Sequence, residues 1–195
     1  MHAIMDYWNG EHVQPEGNHY LTIDVARKGK DKTVFRVWHG WACISREEMP
    51  KSLTTEIVSR AKVLQAQYSI TNSQTIADED GVGGGVVDFL GCYGFVNNSK
   101  AKFKQNYSNL KSQCSVEMAK KIQAREAVEL CNDPHIQNLV TEEMEQVKYD
   151  KVDQDGKLSI IPKDKVKERI GRSPDDWDSI MMRYFFELMG DFFIA

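Results

Sequence analysis

Apolar and polar residues alternate along HYLTIDVA, from His19 to Ala26, and the run stops at the turn-forming RKGKDKT. This predicts a strand leaving its sheet at Asp24. TVFRVWHGW, from Thr33 to Trp41, is rich in β-branched and aromatic residues and predicts the hairpin partner, with a third strand over Trp41 to Ser45. Between Leu53 and Tyr68 the apolar residues Leu53, Ile57, Ala61, Leu64 and Tyr68 recur at spacings of three and four, the mark of an amphipathic helix. SQTIAD predicts a short strand ending at Asp78, followed by the glycine-rich EDGVGGG and the helix start VVDFLG, and Cys92 to Val96 one more short strand.

The second half has a longer period. NNSKAKFKQNYSN, polar, basic and aromatic without a period, is expected to be a loop, and Leu110 to Leu130 a long helix. Asp133-Pro134 opens another helix, to about Met144. VKYDKVDQDGKLSII carries two β-prone runs around the hairpin signal Asp155-Gly156. Two helices close the chain, KDKVKERIG and SPDDWDSIMMRYFFELMG, with Ser173 expected as cap and Pro174 as first helical residue of the second. Strands come first and helices gather later, which predicts an α/β fold with a mixed sheet rather than a doubly wound parallel one.

Length and composition add bounds. The 195 residues fit one domain, and 41% hydrophobic with 28% charged residues at a mean hydropathy of −0.51 excludes disorder as the default. Residues 1–17 are expected to be a tail or linker remnant and 18–195 the domain. No run approaches the roughly 20 apolar residues of a membrane helix, and MHAIMDYWNG lacks a signal-peptide pattern, so a cytosolic, membrane-free protein is expected. Cys43, Cys92, Cys114 and Cys131 are widely spaced and read as reduced, buried thiols rather than a zinc site or disulfide framework. The net charge of −4 gives no general sign of nucleic-acid binding, which directs attention to where the acids sit.

Three acids lie where a regular element meets a loop: Asp24, Asp78, and Asp178 early in a late helix. Carboxylates from separate elements can hold two hard divalent cations roughly 3.5–4 Å apart, the arrangement that serves phosphodiester hydrolysis. Plainer readings exist, since a strand-end Asp often caps a turn and Asp175 and Asp176 suit the positive end of a helix. Asp78 resists the plain reading more, because ADEDG packs three acids that repel one another unless solvated or bound to a cation. Asp175 and Asp178, three apart, share a helix face.

Other motifs narrow the choice. GVGGG can cradle phosphate at a helix start but lacks the Lys and Ser/Thr of GxxxxGK[ST], so no nucleotide-driven motor is contained in these residues. Lys100, Lys102 and Lys104, with Phe103 and Tyr107, form a basic aromatic stretch able to grip a phosphate backbone, although a solvated loop is the commoner explanation. Lys163, Lys165, Lys167, Arg169 and Arg172 form a second basic run, scattered around a helix. No GxSxG occurs and the five histidines adjoin no nucleophile signature.

Taken in order, YLTIDVARKGKDKTV, TIADEDGVGGGVVDFLG, SKAKFKQNYSNLKSQ and GKLSIIPKDKVKERIGRSPDDWDS resemble the C-terminal nuclease domain of tailed-phage terminase large subunits, the enzymes that package and cut viral DNA. The resemblance spans roughly Asn18 to Met189. It implies an RNase H-like fold with a central mixed sheet flanked by helices, and a two-ion Mg²⁺ or Mn²⁺ endonuclease cleaving double-stranded concatemeric DNA. Carried over by position, Asp24, Asp78 and Asp178 are its catalytic and metal-binding acids, with Asp80 and Asp175 as additional ligands and Lys100, Lys102, Lys104 and Lys163 toward DNA. Asp78 is favoured over Asp80 because it closes the apolar run. The ending SPDDWDS places Trp177 and Ser179 where smaller residues are usual in the family. A phage or prophage origin, a host bacterial cytoplasm, and an N-terminal ATPase domain, small subunit and portal as partners also follow from the resemblance. A junction resolvase or exonuclease would use similar acids, and a non-catalytic docking module stands as the alternative of another class.

Overall fold

The computed structural model describes residues 2–26, 32–150 and 156–190, the side chains at 2, 3 and 104 excepted. Strands β1 (His19–Asp24), β2 (Thr33–His39) and β3 (Ala42–Met49) form an antiparallel meander; β4 (Thr75–Asp78) adds in parallel beside β1, β5 (Tyr93–Phe95) in parallel beside β4, and β6 (Val128–Glu129) in parallel beside β3. The order is β5-β4-β1-β2-β3-β6. This is the expected mixed sheet, and helices cover both faces.

Alternation along the central strands decides which face each side chain serves. Leu21 and Ile23 of β1, with Phe35 and Val37 of β2, pack under α2 (Thr54–Tyr68) and α3 (Gly83–Leu90), against Ile57, Ala61, Leu64 and Val86. Their neighbours Thr22, Asp24, Arg36 and Trp38 turn to the opposite face, where Trp38 donates to Thr22 Oγ1 at 3.1 Å. That face is covered by α4 (Leu110–Gln123), α5 (Pro134–Met144) and α7 (Asp175–Met181), through Cys114, Met118, Val140, Trp177 and Ile180. A short α6 (Lys163–Ile170) precedes α7, and α8 (Glu187–Gly190) follows it.

Several expectations are revised. The helix from Leu110 ends at Gln123 instead of Leu130: Arg125 takes a positive φ of 61°, and Val128 and Glu129 then pair with β3, where Val128 N–H reaches the Trp41 carbonyl. The third strand runs on to Met49 because β2 gives it a partner along its whole length. The first residues are no free tail. Within α1 (His2–Asp6) and the turn after it, Tyr7 is fully buried with its hydroxyl on Glu129, and the Trp8 indole donates to Thr141. Ser173 does not cap α7; Pro174 takes the cap position and no side chain completes it. The β-prone runs near Asp155-Gly156 meet in a Tyr149–Ile160 antiparallel bridge, while the turns expected at residues 151–155 and in RKGKD at 27–31 lie outside the described residues. The four cysteines are free thiols, Cys43 and Cys114 buried and Cys92 and Cys131 half-buried. Among the described residues no helix is long and apolar enough to cross a membrane.

Candidate active site

β1 and β4 run parallel with Ile23 opposite Ala77, so the next residues, Asp24 and Asp78, stand side by side at the carboxyl ends of adjacent strands. Strands in a sheet lie about 4.8 Å apart, which makes these carboxylates neighbours by topology. Both turn to the face covered by α7. The first turn of α7 brings Asp175 and Asp178 to the same place, and Asp24, Asp78, Asp80 and Asp175 line one open cavity of about 790 Å³. Asp178 lines an adjoining recess, and Lys111 and Lys163 line both. Lys111 Nζ lies 2.6 Å from Asp178 Oδ1, and Lys163 Nζ 2.7 Å from Asp178 Oδ2 and 3.5 Å from Asp175 Oδ1.

Titration behaviour follows from this crowding. Burial pushes the Asp24 carboxyl well above its ordinary range, and the nearby Asp178, Asp175 and Asp78 push further, against the pull of Lys163. Burial likewise raises Asp78 to about 6, although the Asp80 backbone N–H donates to it. Burial disfavours the charged form of Asp178 too, yet Lys111 and Lys163 outweigh it and hold that carboxyl at about 2. Lys163 is held protonated by the same acids.

The loop after β4 is built around close backbone approach. A Cβ at Gly83 would sit 1.7 Å from the Asp78 carbonyl oxygen, so glycine lets α3 start hard against the end of β4. None of Gly81 to Gly85 lines the cavity, so the glycine run packs the strand end rather than presenting amides to the site. Asn97 completes the corner: its Nδ2 donates to Asp80 Oδ2 at 2.7 Å and to Asp78 Oδ1 at 3.3 Å, and its own Oδ1 is buried without a partner.

The opposite face of α7 carries a second set of charges. Asp176 accepts from Arg36 Nη2 at 2.8 Å and from Arg46 Nε and Nη2 at 2.7 and 3.0 Å. Arg36, fully buried, also donates from Nε and Nη2 to Glu129 and from Nη1 to the Asp176 carbonyl and the Ser179 hydroxyl. Burial notwithstanding, the two guanidinium groups hold the Asp176 carboxyl well below the ordinary range.

Of the residues singled out in the sequence, Asp24, Asp78, Asp80, Asp175, Asp178 and Lys163 come together. Lys100 and Lys102 are not among the described residues lining the cavity, and Lys102 instead lies over the Phe185 ring; the Lys104 side chain lies outside the described residues. Lys111, Asn97 and Arg36 were missed. Arg36 alone had a legible signal: a charged residue inside the strand pattern TVFRVW must find a buried partner.

The acids suit a hard divalent cation in chemistry: oxygen donors in excess of the lysines, at a strand-end corner where burial, with mutual repulsion added, raises two of them. Among the described residues no three His, Cys, Asp or Glu side chains already stand as a closed ligand set. The ammonium groups on Asp178 and Asp175 supply the countercharge as the side chains stand.

No family model and no curated protein matches the sequence. Solved structures do match in fold. The nuclease domain of the large terminase subunit gp2 of bacterial virus Sf6, as a lysine-to-alanine variant with manganese and β-thujaplicinol, aligns over 93% of this chain and 95% of its own at a TM-score of 0.78 and 15% identity. The large terminase nuclease of thermophilic phage G20c with bound magnesium aligns over 88% and 82%, with a TM-score of 0.59 and 20% identity. The large terminase nuclease domain of Thermus phage P74-26 aligns over 88% and 80%, with a TM-score of 0.57 and 18% identity. At these identities the likeness shows the fold, an RNase H-like one.

Proposed function

We propose that this chain is the nuclease domain of a terminase large subunit, a divalent-metal-dependent endonuclease acting on double-stranded DNA. The observation that carries this reading is the meeting of Asp24, Asp78 and Asp175 at one open cavity of an RNase H-like sheet, with Asp178 in the adjoining recess, all drawn from two strands and a helix. Structures of this fold are described with manganese and with magnesium, which supports Mg²⁺ or Mn²⁺ as the ion. The concatemeric substrate, the ATPase domain, small subunit and portal as partners, and the host bacterial cytoplasm belong to the same proposal.

Asp24, Asp78 and Asp178 would hold the ions, with Asp80 and Asp175 as further oxygen ligands. When bound, a pair of such ions supplies an activated water and neutralises charge at the attacked phosphate. The protein's own part is placement. The parallel register of β1 and β4 fixes two carboxylates side by side, Asn97 orients Asp78 and Asp80 through its amide, and the guanidinium pair behind α7 sets the rotation that aims Asp178. Lys111 and Lys163 hold Asp178 charged and in place, and would have to release it for an ion to be held there. A cavity of about 790 Å³ leaves room for a strand to lie across the carboxylates.

The test is plasmid cleavage. Supercoiled DNA is relaxed and linearised with Mn²⁺ and not with EDTA, and Asp24→Asn and Asp78→Asn proteins fail to cut. Variants that cut as well as wild type would overturn the site assignment, preference for branched DNA or free ends would favour a resolvase or exonuclease, and absence of any Mn²⁺ or Mg²⁺ binding by calorimetry would favour a docking module.

A further inference from the structure

Ser173 is 6% exposed, its Oγ has no hydrogen-bond partner, and it lines the same cavity as Asp24, Asp78 and Asp175. A buried hydroxyl without a partner is costly and therefore rare, so it calls for an explanation. Capping α7 is not one, since no side chain caps that helix. Nor is local slack. Before it, Gly171 closes α6 through a bond to the Lys167 carbonyl, and Arg172 is clamped to α5 by Glu142, Glu143 and the Leu139 carbonyl. After it comes the rigid ring of Pro174, directly ahead of Asp175. The backbone is pinned on both sides while the hydroxyl between the pins is left open. Other buried serines nearby are engaged: Ser179 with Arg36 and Asp176, Ser112 with Ser108 and the Ile160 amide, Ser115 with the Trp177 indole.

The geometry points to Ser173 as a substrate-contacting residue whose hydroxyl donates to a phosphate oxygen of the DNA strand lying in the cavity. This rests on the nuclease reading above. Two features select a phosphate. The lining of this cavity also includes Lys163 and Lys167, so it offers hydroxyl and ammonium donors together, the set that a backbone phosphate accepts from. A neutral hydroxyl in a cavity lined by six aspartates also adds little to the binding of a hard cation, for which those oxygens are the better ligands. The residue thus holds a strand in register beside the acids, as a positioning contact.

The experiment compares wild type, Ser173→Ala and Ser173→Thr by anisotropy with a short duplex DNA in Ca²⁺, by steady-state cleavage with Mn²⁺, by calorimetric Mn²⁺ titration and by thermal unfolding. Ser173→Ala is expected to raise Kd and KM for DNA about tenfold, the effect of one hydrogen bond to a charged group, while kcat changes far less. Mn²⁺ affinity and Tm stay at the wild-type values, because no internal bond is lost, and Ser173→Thr recovers at least part of the DNA affinity. Unchanged DNA binding in Ser173→Ala overturns the proposal. So does a parallel loss of Mn²⁺ affinity, which would make the hydroxyl a partner of the ion, or a fall in Tm, which would make it structural. A wild-type protein that neither binds nor cuts DNA with any divalent ion would instead sink the nuclease reading itself.

Discussion

Helix α7 presents buried carboxylates on two sides, and the two sides are treated differently. Behind it, Asp176 meets the planar forks of Arg36 and Arg46, several short bonds in fixed directions, and its carboxyl is held low. In front, Asp178 and Asp175 meet the ammonium groups of Lys111 and Lys163, point charges on flexible stems, beside Asp24 and Asp78 whose carboxyls are pushed up. Arginine forks fix a geometry, whereas lysines satisfy charge and can withdraw. One helix therefore carries an anchor and an exchangeable site, separated by its own width.

The contrast breaks most visibly by substitution on each side in turn. Asp24→Asn is expected to lower cleavage by about a thousandfold, the loss of several kcal/mol at an acid proposed to hold an ion, with thermal stability kept or raised because burial disfavours the Asp24 charge. Arg36→Met is expected to cost about 3–5 kcal/mol by leaving Asp176 and Glu129 partly uncompensated, a Tm decrease of roughly 10 °C. Calorimetry alongside a cleavage assay checks both. Equal stability losses in the two variants would erase the distinction.

A pH series sharpens it next. The folded Asp78 carboxyl is raised from 3.8 to about 6, so its contribution to stability is complete below 3.8 and is lost as pH rises through about 6, while the ionised form able to hold a cation grows over the same window. Between pH 5 and 7 the ionised fraction climbs from about a tenth to about nine-tenths. Cleavage at saturating DNA should rise as metal-free stability falls, and Asp78→Asn should remove this component of the stability slope. Asp176, held low behind the helix, contributes nothing in that window. A stability slope identical in Asp78→Asn and wild type would count against the assignment.

The smallest effect expected is on ion exchange. Lys163→Ala removes one of the two ammonium groups that compete for Asp178, so Mn²⁺ should bind a few-fold tighter by titration calorimetry, with the Arg36 side untouched. Weaker Mn²⁺ binding would mean that Lys163 supports the ion instead of standing in for it.

Much of this was legible before folding, for reasons of period. Alternation in HYLTID located β1 and its terminal Asp24, the spacing of Ile57, Ala61 and Leu64 located α2, and Asp133-Pro134 located the start of α5. What escaped lacks a period. Val128 and Glu129 form a strand only because β3 offers an edge, and no two-residue pattern can announce that. Tyr7 looked like part of a tail because its partner Glu129 lies 122 positions away. Ser173 carried the local signature of a cap, yet Pro174 takes the cap position ahead of Asp175 and the hydroxyl is left without a partner. The acids themselves were found by position, but which lysines answer them depended on α4 and α6 arriving from distant segments.

Asp176 and Asp178 also set a tolerance on length. An α-helix turns by about 100° per residue, so one residue inserted between them would swing the Asp178 carboxylate about a quarter-turn round while the arginines still gripped the anchor. Substitutions within SPDDWD alter one contact at a time, whereas a single insertion or deletion would misindex the whole site. The spacing of two, more than the identity of the intervening Trp177, is the setting this helix keeps.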